Sequence, residues 1–202
     1  FSAEWYFSPN SILATTLFYK KIDNYILVTT REETHYNQNQ SKDTIYNVSR
    51  PNNAGSADVK GVSFAFQTTF NNGFGLLANY TFAEAEADNG DRLPYNSKNQ
   101  VNLSPFFEND RWSARVTYSW RSDYYTQVDR GNYLVTDDYA SLDASINYKI
   151  TDSLSVGLDG MNLLDSEYYS YAKVPGVANT DKLVRGAYRT GRRLMASLRF
   201  QF

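Results

Sequence analysis

The chain has 202 residues, with 20 Lys and Arg against 22 Asp and Glu, no Cys and a single His. A net charge of −2 and an isoelectric point near 5.4 argue against a basic nucleic-acid surface, and the lack of Cys excludes disulfides, thiol catalysis and thiolate metal sites. Aromatics reach 16% while mean hydropathy is −0.55, and no run approaches the ~18 apolar residues of a membrane helix.

In chain order, Phe1 to Phe7 reads as a strand entering the turn Ser8-Pro9-Asn10-Ser11, and a second strand runs from Ile12 to about Val28. Thr29 to Asp43 is a long polar stretch. Segments Thr44 to Val48 and Val59 to Phe70 flank Arg50-Pro51-Asn52-Asn53-Ala54-Gly55, where Pro, Asn and Gly mark a bend. Asn71-Asn72-Gly73 is a tight hairpin signal before the strand Phe74 to Ala87, and Asp88 to Asn96 is a polar loop. Asn99 to Phe107, the turn Glu108-Asn109-Asp110 and Arg111 to Arg121 form the next hairpin. Ser122 to Asp138 is a long Tyr-rich loop. Tyr139 to Ile150, the turn Thr151-Asp152-Ser153 and Leu154 to Leu164 form another hairpin. Asp165 to Tyr188 is the longest late loop, and Arg189 to Phe202 is the terminal strand.

Several of these strands alternate. Trp112, Ala114, Val116, Tyr118 and Trp120 share one face, and Arg111, Ser113, Arg115, Thr117, Ser119 and Arg121 the other. Ala140, Leu142, Ala144, Ile146 and Tyr148 oppose Tyr139, Ser141, Asp143, Ser145, Asn147 and Lys149. Phe74, Leu76, Ala78, Tyr80 and Phe82 oppose Gly75, Leu77, Asn79 and Thr81. In the last strand Leu194, Ala196, Leu198, Phe200 and Phe202 oppose Arg193, Met195, Ser197, Arg199 and Gln201. Ile12 to Tyr19 is apolar on both faces, which leaves its orientation open.

Short turns and long connections take strict alternate turns, as in bacterial outer-membrane barrels with short periplasmic turns and long external loops. The expected fold is therefore an all-β, antiparallel transmembrane barrel segment of about nine strands. A soluble β-sandwich or lipocalin-like barrel is the competing reading. An odd strand count, an opening Phe1 and no export signal suggest a mature fragment of something larger.

Several blocks together resemble the carboxyl-terminal barrel of TonB-dependent outer-membrane receptors. They are Arg50 to Gly55 through Lys60-Gly61-Val62, Leu76 to Phe82, Leu93-Pro94 with Ser97-Lys98, and Trp112-Ser113-Ala114-Arg115. Asp143-Ala144-Ser145, Asn162-Leu163-Leu164-Asp165 with Tyr168-Tyr169, and Gly191-Arg192-Arg193 continue the series. The resemblance implies a barrel of about twenty-two strands closed by an amino-terminal plug, of which residues 1–202 would be roughly the last two-fifths. It implies energised uptake of a scarce solute in the Gram-negative outer membrane, with no bond made or broken. Expected partners are outer-membrane lipid and lipopolysaccharide, a small-molecule ligand, the barrel-assembly machinery and, through the absent plug, the TonB energy-transducing complex. No nucleic acid, cofactor or metal is expected.

Tyr pairs a flat apolar face with a hydroxyl, so Tyr124, Tyr125, Tyr133, Tyr168, Tyr169 and Tyr171, with Tyr188 nearby, are the candidate ligand contacts. An oligosaccharide is slightly favoured, with a ferric siderophore next and cobalamin more distant. Arg111, Arg115, Arg193 and Arg199 are candidate lumen cations, because an Arg facing lipid at the bilayer midplane costs about 2–4 kcal/mol. They would attract an anionic ligand or pair with neighbouring carboxylates. Glu84, Glu86, Asp88 and Asp91, and Asp137-Asp138, read as solvated loop charge in preference to a calcium site. An outer-membrane hydrolase using His35 with Ser41 or Asp43, and a passive porin, are the alternatives of other classes.

Phe202 resembles the terminal aromatic read by the barrel-assembly machinery. Phe202→Ser in the full-length protein is expected to lower the folded outer-membrane pool several-fold, measured by heat-modifiable gel mobility. An unchanged pool would assign Phe202 to lipid contact alone.

Overall fold

The computed structural model describes residues 1–201 except 54, 89, 91, 130, 131, 175 and 179–182. Fifteen strands, and no helix among the described residues, follow one another. They are β1 (Ser2–Ser8), β2 (Ser11–Asp23), β3 (Ile26–Asn37), β4 (Lys42–Asn53), β5 (Ser56–Thr69), β6 (Phe74–Ala87), β7 (Asn99–Glu108) and β8 (Trp112–Arg121). Then come β9 (Tyr124–Asp129), β10 (Asn132–Thr136), β11 (Tyr139–Lys149), β12 (Leu154–Met161), β13 (Glu167–Lys173), β14 (Val184–Arg189) and β15 (Arg193–Phe200).

Nine of them form one antiparallel sheet in the order β1-β2-β5-β6-β7-β8-β11-β12-β15, the nine strands the alternation predicts. Register carries one face across the whole sheet. Trp5 opposes Leu13, Leu13 opposes Phe66, Phe66 opposes Ala78, Ala78 opposes Leu103, and Leu103 opposes Tyr118. Tyr118 opposes Leu142, and farther on Ile146 opposes Leu158 and Leu158 opposes Ala196. This is the apolar face, so it meets lipid, and the arginine-bearing face lines the lumen. Register also settles β2: Leu13, Leu17 and Tyr19 point to lipid, and Ile12, Ala14, Thr16 and Phe18 to the lumen.

Trp112 packs tilted against Tyr148 at 4.4 Å and Phe74 against Phe107 at 4.8 Å beside the short turns, an aromatic girdle at one interface. Hydroxyl pairs bind adjacent strands on the polar face: Ser2 with Thr16 (3.2 Å), Ser63 with Thr81 (2.8 Å) and Ser104 with Thr117 (2.9 Å). Pro105 has no N–H to donate, and the β7–β8 register passes from Leu103↔Tyr118 to Phe106↔Arg115, with the Ser104–Thr117 bond spanning the interval.

The short turns follow their side-chain chemistry. Asn109 Oδ1 accepts from the N–H groups of Arg111 (2.9 Å) and Trp112 (2.8 Å). Gly73 has φ +87°, and a Cβ there would collide with the Glu108 carbonyl.

The long connections differ from expectation. β2 stops at Asp23, where Asn24 takes φ 57°, instead of running on to Val28. The polar stretch Thr29 to Asp43 and the segment Thr44 to Val48 belong to a ribbon of β3 and β4 with twelve cross-strand pairs. The bend expected at Arg50 to Gly55 is strand through Asn53, and Gly55 carries the turn at φ 100°. The Tyr-rich loop from Ser122 to Asp138 holds β9 and β10, and the loop from Asp165 to Tyr188 holds β13 and β14. Their sheet order is β14-β13-β10-β9, so two loops share one sheet. Both faces of these strands lie beyond the membrane, which removes the apolar alternation that marks a strand in sequence.

Leu158 lies mid-strand on the lipid face, and Met195 opposes Asp159 on the lumen face. Leu158→Arg is expected to cost about 2–4 kcal/mol, and Met195→Arg to stay within about 0.5 kcal/mol. Denaturant titration of the full-length protein in bilayers measures both, and equal costs would contradict the face assignment.

Candidate ligand-binding site

The inter-loop sheet collects all six candidate tyrosines and divides them between its faces. Tyr124 opposes Thr136 on β10, Thr136 opposes Ser170 on β13, and Tyr168 opposes Tyr188 on β14, all on one face. Tyr125, Val135 and Tyr171 form a row on the other face, with Tyr133 opposite Lys173 and Tyr169 opposite Ala187. A residue's place on one face or the other depends on bulges between Leu134 and Val135 and between Ser170 and Tyr171.

On the first face the Tyr124 and Tyr168 hydroxyls are 2.6 Å apart, and the Thr136 hydroxyl is 3.3 Å from Tyr168. Arg121, on the lumen face of β8, donates to the Tyr124 hydroxyl at 3.4 Å and lies 4.8 Å from its ring centroid. Burial and the Tyr168 hydroxyl push the Tyr124 phenol above its ordinary pKa, so it stays a neutral donor. On the second face Tyr125 meets Tyr133 edge-on at 5.6 Å, Tyr169 lies 6.2 Å from Tyr171, and the Lys173 ammonium sits 5.7 Å from the Tyr171 ring. Tyr124, Tyr125 and Tyr171 are buried, at 7%, 7% and 6% exposure, so they pack the sheet. Tyr133 at 41% and Tyr188 at 66% are open, and Tyr168 and Tyr169 are intermediate.

Arg121, Thr136, Lys173 and Tyr95 join this cluster without having been singled out in sequence. The Tyr95 N–H donates to the Tyr125 carbonyl (2.7 Å), tying the loop after β6 to the sheet. Asn162, buried and at φ 52°, fastens the sheet to the barrel. Its N–H donates to Asp143 (2.9 Å), its Oδ1 accepts from the Ser166 N–H (2.9 Å), and its Nδ2 donates to the Ser166 and Gly191 carbonyls. Arg189 pairs with Asp165, and Arg192 Nε donates to the Leu163 carbonyl (2.9 Å). The signal was present in Asn162-Leu163-Leu164-Asp165 and Gly191-Arg192, but not what they join.

Arg115, Arg193 and Arg199 take the lumen side by register, and Arg111 lies in the turn just before β8. Arg115 lies 5.5 Å from the Phe106 ring, and Arg111 and Arg199 line a polar cleft of about 350 Å³ beside the short turns. Glu84 is held by Lys60 and Lys98, Asp88 accepts from the Ser56 N–H, and Asp138 accepts from Trp120 Nε1 (3.0 Å). His35 sits on the exposed ribbon 2.9 Å from Glu33, which also binds Arg50. Phe202 and Asp91 lie outside the described residues.

Residues 1–163 match the family profile described as TonB dependent receptor-like, beta-barrel. The ferripyoverdine receptor of Pseudomonas aeruginosa is 24% identical over 191 residues, covering 84% of this chain and 22% of that receptor. The fold is similar to a point mutant of the ferric enterobactin receptor of Pseudomonas aeruginosa (TM-score 0.70, 18% identity, all of this chain and 30% of that one). It is similar too to the ferric yersiniabactin uptake receptor of Yersinia pestis (TM-score 0.68, 21% identity, 98% and 28% coverage). The chain thus spans about a fifth of its curated relative's length.

Arg189 holds the Asp165 carboxyl below its ordinary pKa, mainly by a hydrogen bond. The folded value being the lower one, this contribution is complete above the unfolded pKa of about 4 and is lost as pH falls through the folded value. Hydrogen exchange in β13 and β14, taken relative to the intrinsic rate at each pH, is expected to quicken below about pH 4. Asp165→Asn is expected to quicken it at pH 7 and remove the acid dependence. An Asp165→Asn protein with unchanged exchange would refute the role of this pair.

Proposed function

This chain belongs to the TonB-dependent receptor β-barrel family of the Gram-negative outer membrane, and on that premise we propose that it is barrel wall and outer loop layer of a ferric-siderophore receptor. The observation that carries the ligand class is the naming of its relatives: ferripyoverdine, ferric enterobactin and ferric yersiniabactin receptors. They support the siderophore over the oligosaccharide that the tyrosines alone suggested. The site agrees chemically. Open phenol rings at Tyr133 and Tyr188, with half-buried Tyr168 and Tyr169 beside them, offer flat apolar contact, and Arg121 and Lys173 offer positive charge to an anionic chelate.

Function in this reading is binding and gated passage. The sheet ends on β1 and β15, whose outer backbone groups require further strands in lipid. Residues 1–202 are one portion of a larger barrel, and the plug that engages the TonB complex belongs to the rest of the parent receptor.

The test is iron-limited growth. The full-length receptor, in an indicator strain stripped of its own siderophore receptors, is expected to restore growth on at least one of ferric pyoverdine, enterobactin and yersiniabactin. Tyr168→Ala is expected to weaken that chelate's binding several-fold. Uptake of labelled malto-oligosaccharide with no response to any chelate would reverse the assignment.

A further inference from the structure

Among the described residues five that are not glycine take a left-handed backbone: Asn24, Ser41, Tyr95, Asn162 and Asp165. Short polar side chains suit such positions, but a bulky ring at φ 63° is a strained exception, and Tyr95 is the residue that carries it. Such strain persists only where the surroundings impose it, as they do here. The Leu93 N–H donates to the Ala85 carbonyl (3.3 Å) and Asn96 Nδ2 to the Ala83 carbonyl (2.9 Å), so β6 holds the loop on both sides of Tyr95. The Tyr95 N–H is itself committed to the Tyr125 carbonyl on β9 at 2.7 Å.

Those bonds account for the backbone and leave the ring unexplained. Glycine would make the same N–H bond without strain. Burial does not explain the ring either. Leu93, Pro94 and Asn96 are half-buried and Ser97 is buried, but Tyr95 is 72% exposed, the most open tyrosine among the described residues. It meets the Tyr124 ring at 6.3 Å and 43°, which leaves most of the phenol in solvent. Arg121 lies 4.8 Å from that same Tyr124 ring. One buried phenol thus carries both an open aromatic face and a guanidinium.

We propose that Tyr95 is a stacking platform for the ligand, and that the ligand is a ferric chelate with aromatic iron-binding arms, catechols or phenols. An exposed flat ring is matched best by another ring laid offset or edge-on against it. Because the backbone under Tyr95 is fixed before the ligand arrives, little ordering is left to oppose binding. The anionic oxygens of such arms suit the Arg121 guanidinium next to Tyr124. This inference rests on the ferric-siderophore reading, to which it adds a contact residue from the loop after β6 and the aromatic class of the chelate.

The full-length receptor, titrated with a ferric tris-catecholate, a ferric phenolate chelate and a ferric trihydroxamate and followed by tryptophan fluorescence, tests it. The parent is expected to bind at least one of the two aromatic chelates. Tyr95→Phe keeps ring and strain, and is expected to hold that affinity to within about twofold. Tyr95→Leu keeps the strain without the ring, and Tyr95→Gly removes both. Each is expected to weaken binding about tenfold, which assigns the effect to the ring. Heat-modifiable mobility confirms that each variant is folded. Parental affinity in Tyr95→Leu, or a loss confined to Tyr95→Gly, overturns the platform and leaves the siderophore reading standing. A parent that binds the trihydroxamate alone overturns the aromatic class, again with that reading intact. A parent that binds no ferric chelate sinks the siderophore reading and this inference with it.

Discussion

Inside a bilayer no water is available to a backbone N–H or C=O, and each group left unpaired costs several kcal/mol. The nine-strand ladder answers that constraint. Once the backbone is committed to it, successive side chains must point alternately to lipid and lumen, which separates Val116 from Arg115 and Leu198 from Arg199. Even the proline in β7 is accommodated, with a hydroxyl pair across the interval it opens. The same rule requires partners for the outer edges of β1 and β15.

Beyond the membrane the constraint relaxes, because water can satisfy what the ladder does not. There the chain forms a two-stranded ribbon and a four-stranded sheet shared by two loops. An isolated hairpin is marginal in water, and the inter-loop sheet escapes that limit by pairing β10 with β13 and burying Val135, Thr136, Tyr171 and Ala172. Asn162 joins this layer to the lumen wall through Asp143, so the loop bearing Tyr168, Tyr169 and Tyr171 is anchored at its root.

Burial sorts the tyrosines by task. A phenol that spends its hydroxyl on another phenol, as Tyr124 does on Tyr168, holds the loops together, whereas Tyr133 and Tyr188 keep exposed faces. Positive charge flanks both faces of the sheet, through Arg121 on one and Lys173 on the other.

Sequence alone determined what a two-residue period can carry: the all-β class, the lipid and lumen faces of β6, β8, β11 and β15, the four short turns and the count of membrane strands. Alternation survives in the sequence there because lipid on one side and polar lumen on the other select residues at every step. It could not show that Thr29 to Asp43 is a ribbon, that loops after β8 and β12 share a sheet, or which face of that sheet each tyrosine takes. Those features depend on pairing between distant segments and on single-residue bulges, each of which moves a side chain to the opposite face. The orientation of β2, apolar on both sides, was likewise decided only by register with β5, because only the neighbouring strand tells Leu13 from Ile12.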